Sequence, residues 1–542
     1  MTGVLGVARL GAARTPQRGD RRSAAATPAL PPNAALASTA LVPHAGATRF
    51  RGLVNHGVTC FFNSVIQSLA SVSALAEHLD RTTRMAERYD VATPVTDALR
   101  ELIVQLNTPD ARGAALAPRA LMRALGNVSQ SNGLRTLVSA RQQQDAHELA
   151  VLLLTALDEE LAAVQKERAT QLRAERAGLR GITAPSEQVH GRLRRSLGAD
   201  GDDATNPFHG IVAQRTSCGR CGYSEAVRHF ALDDLSLVPE PGPLERSLAA
   251  WAQLEQVEWT CFRCSLHTTL RRERAEAAQL RAEAQALPAG RQKRAARLAA
   301  AQREAEASAK RLADALQAGV HEGEAEERRL LDGIPLERAP SAPSTKQVML
   351  ARPPPVLVLH LNRSAFALGS FGPAKNHVRV TFPEWLDMAP YTTGAELSTH
   401  PARPLSERRA AGRRDERLRY RLSAVVTHYG AHNYGHYVCY RRRPKGVWTR
   451  ISDETVQACT LDDVRAQNPF LLFYERGDVV RQLEAHVAQV EAASASPGDS
   501  PPVTPAPGAS PAQTLLPARR ARPRMVHRWS ASPVASRETT PA

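Results

Sequence analysis

The sequence predicts an α+β protein, with helices first and a β-rich part after them. Apolar residues recur at helical spacing from Cys60 to about Glu160, clearest in DAHELAVLLLTALDEELAAV. From His209 the pattern turns to short β-type runs such as GIVAQRTSC, YSEAVRHFALDDLSLVP and PPVLVLHLNR.

Taken in order, residues 1–47 are rich in Ala, Ser, Thr, Pro and Arg, and are expected to be a disordered basic tail rather than a transit peptide. The helical region follows. Residues 163–205, charged and then Gly/Asp-rich, are expected to be an insertion or loop. Between the early strands and PPVLVLHLNR lies an Ala/Arg/Glu/Leu-rich block; Arg271–Arg338 holds 14 basic and 12 acidic residues, and LPAG at 287–290 divides it into two solvated helices. Leucines are too sparse there for a sustained heptad seam, so the chain is expected to be monomeric. An insertion is placed at about 268–345 and another, basic, at 395–418. The strand-rich closing segment runs from YRLSAVVTHYG to PFLLFYER, and residues 481–542 read as a Pro/Ser/Ala-rich disordered tail.

The formal charge of +16 sits largely in the tails, +5 in residues 1–50 and +4 in residues 493–542, which argues against a nucleic-acid-binding face. No uncharged apolar stretch long enough to span a bilayer is present. Seven cysteines in 542 residues do not make a disulfide scaffold. A reducing compartment, the cytoplasm first, is expected.

Four of the seven form two CxxC pairs, Cys218/Cys221 and Cys261/Cys264, with 39 residues between them. Each pair can offer two thiolates to one tetrahedral zinc, and four ligands leave no open position, so the site is expected to be structural. A thioredoxin-like redox role is set aside because two pairs occur and neither is expected to open a helix after a strand.

A different cysteine carries the chemistry. Cys60, in GLVNHGVTCFFNSVIQSL, stands at a predicted helix start, where unpaired N–H groups favour thiolate. His436 lies in GHYVCYRR, and Ser452 and Asp453 follow in WTRISDETV. Nucleophile, base and orienting residue are the parts of a thiol hydrolase. Asn55 can supply an oxyanion donor beside the Cys60 N–H. His360 and His428 are read as structural, Phe61, Gln67 and Tyr437 as packing around the site, and Cys439 and Cys459 as buried or surface thiols without a role.

These stretches resemble the ubiquitin-specific proteases. GLVNHGVTCFFNSVIQSL resembles their Cys box and HYGAHNYGHYVCYRR…W…SD…V…LLFYER their His box; QQQDAHELAVLLL resembles the acidic helix between them. NPFHG…C..C…C..C and PPVLVLHLNR fall in the same order, and the resemblance covers about residues 51–476. It implies a papain-like fold with a helical thumb, a β-rich palm and zinc-tipped fingers, in a catalytic domain over 48–480 that binds ubiquitin. Cys60, His436 and Asn55 match the family's nucleophile, base and oxyanion donor; Asp145 and Glu148 match its contact with the ubiquitin tail.

Ser452 stands where many members have Asp or Asn. It can accept the imidazole N–H but brings no charge. Were this stretch extended, Ser452 and Asp453 would point to opposite faces, and only one could orient His436. A minority of the family shares the Ser-Asp pair, among them a member anchored to the mitochondrial outer membrane; no such anchor is visible here, so that location does not transfer, and nuclear or mitochondria-associated locations stand only as alternatives to the cytoplasmic one. The expected activity is hydrolysis after the C-terminal glycine of ubiquitin. The alternatives are an inactive ubiquitin-binding scaffold and a protease for a ubiquitin-like modifier.

Overall fold

The computed structural model describes residues 50–485, apart from 109, 111–112, 128–143, 178–204, 225–226, 289, 320–324, 341, 367–372, 395, 408–414, 432–433 and 444–445. The predicted tail over 1–47 and most of that over 481–542 lie outside the described residues.

Five helices come first: α1 (Cys60–Leu69), α2 (Ser73–Tyr89), α3 (Pro94–Asn107), α4 (Arg119–Gly126) and α5 (Ala146–Ala177). Every residue of α1 is buried, because it lies between α5 and the large β-sheet. Glu160 of α5 accepts the N–H groups of Val95 and Thr96, each at 2.8 Å, and so caps α3, whose own N-cap Thr93 makes no side-chain bond there. Helix α5 runs to Ala177, past residue 163 where a loop was expected. The charged residues there extend the helix beyond its apolar stretch.

Strands β1 (Gly210–Cys218), β2 (Arg228–Leu232), β5 (Glu255–Trp259) and β6 (Ala342–Arg352) form a four-stranded sheet in the order β2-β1-β6-β5. A second sheet of eight strands contains β3 (Leu235–Leu237), β7 (Val356–Leu361), β11 (Trp385–Asp387), β12 (Arg419–Gly430), β13 (Gly435–Arg442), β14 (Trp448–Ser452), β15 (Thr455–Cys459) and β16 (Leu471–Arg476). Its main path is β15-β14-β13-β12-β16-β7-β3, with β11 on the end of β12. The remaining strands pair in twos: β4 (Gly242–Pro243) with β10 (Val380–Thr381), and β8 (Ser364–Phe366) with β9 (Pro373–Lys375).

Both faces of the large sheet are covered, which is why β7 is buried at all six positions. Val356, Val358, Ala424, Val426 and Phe473 pack with the helices, and Leu357, Leu359, Leu422, Val425 and Tyr474 pack on the other side, with α6 (Leu244–Trp251). The buried Arg441 guanidinium of β13 donates to Gln67 Oε1 (2.9 Å), to the Ala70 carbonyl (2.8 Å) and to Asn107, tying the sheet to α1 and α3. The helical part, the large sheet and the four-stranded sheet are the thumb, palm and fingers of a papain-like α+β fold.

The Ala/Arg/Glu-rich block forms α7 (Phe262–Gln285), α8 (Gln292–Ala318) and α9 (Ala325–Leu331), with the expected break between the first two. Its boundaries differ from the expected 268–345. Helix α7 opens at the second CxxC pair, and residues 342–345 belong to β6, paired with β1 and β5. The segment expected as an insertion at 395–418 is also partly structural. Buried Arg215 of β1 donates to the carbonyls of Ser398 (2.5 Å) and Arg403 (2.7 Å), and Leu405 packs on Ala213 and Met349. A helix over 477–485, with Val480 buried, crosses the expected domain end at 480.

Candidate active site

Cys60 begins α1 and is 4% exposed. The helix has no side-chain cap: Thr59 Oγ1 instead donates to Asn55 Oδ1 and accepts the His56 N–H. The uncapped N–H groups of Cys60 and Phe61, with that of Tyr437 on β13, point to the thiol and favour thiolate. Burial outweighs them and, with the negative charge of Asp453, holds the Cys60 pKa above its ordinary value. The helix start therefore favours the thiolate, as expected, but does not outweigh burial.

His436, one residue before Tyr437, has Nε2 2.8 Å from Ser452 Oγ. With Nε2–H donating to the hydroxyl, Nδ1 is left as the base. Among the described residues no hydrogen bond joins His436 to Cys60.

Asp453 does not take the opposite face. Its φ of 48° is left-handed, so the chain turns at once from β14 into β15, where Ser452 pairs with Thr455, and the carboxylate folds back. Its Oδ2 stays 3.9 Å from His436 Nε2 but accepts Asn55 Nδ2 at 2.8 Å, while Oδ1 accepts Asn63 Nδ2 at 2.8 Å. The Asp453 carbonyl accepts the Leu53 N–H at 2.9 Å, and a Cβ on Gly52 would lie 2.4 Å from that oxygen. Gly52 is therefore required for the two segments to meet.

Asn55 is held at both ends of its amide. Oδ1 accepts the N–H groups of Gly57 (2.9 Å) and Thr59 (3.1 Å), and Nδ2 gives one hydrogen to Asp453. Its second hydrogen is the one an oxyanion could use. Asn63 went unnoticed in the sequence; the available signal was a polar amide three residues, about one helical turn, after Cys60.

Asp145 and Glu148 are exposed at the start of α5. Asp145 accepts the His147 N–H at 2.6 Å, an ordinary N-capping bond, and its charge, like the Ala146 N–H, reaches the Tyr437 hydroxyl. The acidic helix start therefore stands close to Cys60. His360 and His428 are engaged in packing: His360 stacks on His147 at 3.8 Å, and His428 stacks on Tyr437 at 4.4 Å.

The sulfurs of Cys218, Cys221, Cys261 and Cys264 lie within 4.8 Å of one another. Cys218–Cys264 is 3.9 Å and Cys221–Cys261 is 3.7 Å, close to the ~3.8 Å edge of a tetrahedron built with 2.3 Å metal–sulfur bonds. The donor set could hold a metal ion. Cys261 is the N-cap of α7 and follows β5, so this CxxC does open a helix after a strand, contrary to the sequence argument. The redox reading is excluded instead by the convergence of both pairs. All seven cysteines are free thiols.

A thiol at the start of a buried helix, set against a histidine on the neighbouring sheet, defines a papain-like thiol hydrolase. The chain belongs to the ubiquitin carboxyl-terminal hydrolase family, whose pattern matches residues 51–474, and is accordingly a cysteine-type deubiquitinase. It is 25% identical over 470 residues to ubiquitin carboxyl-terminal hydrolase 27 of Arabidopsis thaliana, covering 78% of this chain and 85% of that one. It is also 25% identical over 507 residues to human ubiquitin carboxyl-terminal hydrolase 30, covering 78% and 84%. Among solved structures, the SAGA Ubp8/Sgf11/Sus1/Sgf73 deubiquitinating module bound to ubiquitin aldehyde matches with a TM-score of 0.47 and 18% identity, over 81% of this chain and 72% of that one.

Proposed function

We propose that Cys60 attacks the carbonyl carbon of ubiquitin's terminal glycine in an isopeptide or peptide bond, with His436 as general base and acid. The observation that carries this is the His436 Nε2–Ser452 Oγ bond at 2.8 Å, which leaves Nδ1 free as a base beside the strand whose Tyr437 N–H reaches the thiol. The Cys60 proton passes to Nδ1 as the sulfur–carbon bond forms, and the oxyanion takes the Cys60 N–H and the second Asn55 hydrogen. Collapse expels the amine, which leaves with the His436 proton. Water, deprotonated by His436, then hydrolyses the thioester.

Ser452 orients the imidazole, and Asp453 orients Asn55 and Asn63. Asp145 and Glu148 would face a basic C-terminal tail, and the solved neighbour's bound ubiquitin aldehyde fits that reading. Zinc on Cys218, Cys221, Cys261 and Cys264 would supply only cross-linking of the finger tips. The need for reduced cysteines at two sites favours a reducing compartment, with the cytoplasm proposed.

The test is hydrolysis of a ubiquitin–fluorophore conjugate by the full chain. Wild type should turn over, and Cys60→Ala should lose all turnover yet keep ubiquitin binding. Turnover by Cys60→Ala would refute the assignment, and failure of the wild type to react with an electrophilic ubiquitin probe would favour an inactive scaffold.

A further inference from the structure

Strand β12 outlasts its partner on one flank. Pairing with β16 ends where the Phe470 N–H meets the Val426 carbonyl at 2.7 Å, whereas pairing with β13 continues to Gly430↔Gly435. The carbonyls of His428 and Gly430 follow Val426 at two-residue steps, so they face the same flank. Among the described residues no strand reaches them. One side chain takes both: Lys375, the last residue of β9, donates from Nζ to the carbonyls of His428 (2.7 Å) and Gly430 (2.9 Å). Its third bond goes to His428 Nδ1 at 3.0 Å.

An ammonium has three N–H groups, and all three are given to one short segment. Burial, and secondarily the Arg363 guanidinium, push the Lys375 pKa down to about 8, so at pH 7 the proton needed for three bonds is retained. What this segment carries is the catalytic strand. Tyr429 pairs with His436, Gly430 with Gly435, and the His428 ring stacks on Tyr437. A Cβ on Gly435 would lie 1.9 Å from the Tyr429 carbonyl, so the two strands touch backbone to backbone at this point.

We propose that Lys375 is a positioning residue for catalysis, standing in for an absent edge strand and holding the end of β12 so that His436 and the Tyr437 N–H stay aligned with Cys60. This rests on the roles of Cys60 and His436 given above. A side chain that only filled space would be replaceable by an apolar chain of similar length, whereas one that bonds two carbonyls needs a cation with at least two donors.

The experiment compares wild type, Lys375→Met, Lys375→Arg and His436→Ala in the full chain, by steady-state hydrolysis of the ubiquitin–fluorophore substrate. Lys375→Met should lower kcat about tenfold or more with KM within about twofold, because the loss falls on the transition state, and Lys375→Arg should recover kcat to within about threefold of wild type. Wild-type kcat in Lys375→Met, or a change confined to KM, overturns the proposal. Should Lys375→Met fail to fold, as read by thermal unfolding, Lys375→Gln against Lys375→Arg makes the same comparison. Turnover retained by His436→Ala would bring down the catalytic reading and this one with it; a dead His436→Ala beside a fully active Lys375→Met removes the lysine's role alone.

Discussion

Asp453 serves Asn55 and Asn63 at 2.8 Å each, and His436 only at 3.9 Å, so the two neighbours Ser452 and Asp453 divide the work of orienting the site. Ser452→Ala should lower kcat by about tenfold, since a neutral hydroxyl gives the imidazolium modest help. Asp453→Ala should cost more, about a hundredfold, by releasing the oxyanion donor, and should also lower stability by about 1–3 kcal/mol because the buried Asn63 amide loses its shortest acceptor and keeps only the Leu53 and Val54 carbonyls at 3.4 Å. Urea unfolding and kinetics on the same preparations decide it. A silent Asp453→Ala beside a severe Ser452→Ala would reverse the division. Cys60, His436 and Ser452 were legible because their types and spacing survive as a sequence pattern. A place for Asp453 at the oxyanion site could also be read from the sequence, but the fold-back that brings it there could not, because it depends on one left-handed φ that a reading of the stretch as extended strand excludes.

At the scale of elements, the sequence marked the helical hairpin and its break but misplaced its root. The reason is that the first turns of α7 are divided between two tasks: Cys261 and Cys264 belong to the cysteine cluster, while Phe262, Leu266 and Leu270 pack with Ala309, Leu312 and Ala315 of α8. Ser265 Oγ accepts the Ala339 N–H at 3.0 Å and Thr269 Oγ1 accepts the Glu337 N–H at 2.9 Å, which ties the helix start to the irregular segment that precedes β6. Periodicity alone cannot reveal that division. Replacing residues 274–333 by a short Gly/Ser bridge should leave kcat/KM on the fluorophore substrate within about threefold of wild type and keep one zinc per chain, although the melting temperature should fall as Leu266, Leu270 and Ile334 lose cover. A wider cut over 266–341, which retains all four cysteines, should lose the metal. Elemental analysis separates the two, and a zinc-free but folded short deletion would contradict the placement of the root.

The whole molecule carries a pH dependence that no single motif announces. His78 and His360 are 5% and 7% exposed, and burial pushes their pKa values down to about 4 and about 3. In the unfolded chain both return to about 6.5, so between these limits the unfolded state binds more protons than the native one. Stability from this source is therefore complete above about pH 6.5 and falls as the pH drops toward 4. Each histidine costs roughly 2 kcal/mol between pH 7 and pH 5. His209 acts in the opposite sense, since its bond to Asp158 raises its pKa and favours the protonated native state, but burial opposes that rise. The net change should remain a loss. A metal held by the four cysteines would be released by acid and add to it, so the comparison must be internal to one histidine. His78→Gln removes a ring whose Nδ1 has no hydrogen-bond partner among the described residues. The variant should lose about 2 kcal/mol less than wild type between pH 7 and pH 5 in urea unfolding, whatever its stability at pH 7. Equal losses in the two proteins would mean that His78 is not held neutral by the fold.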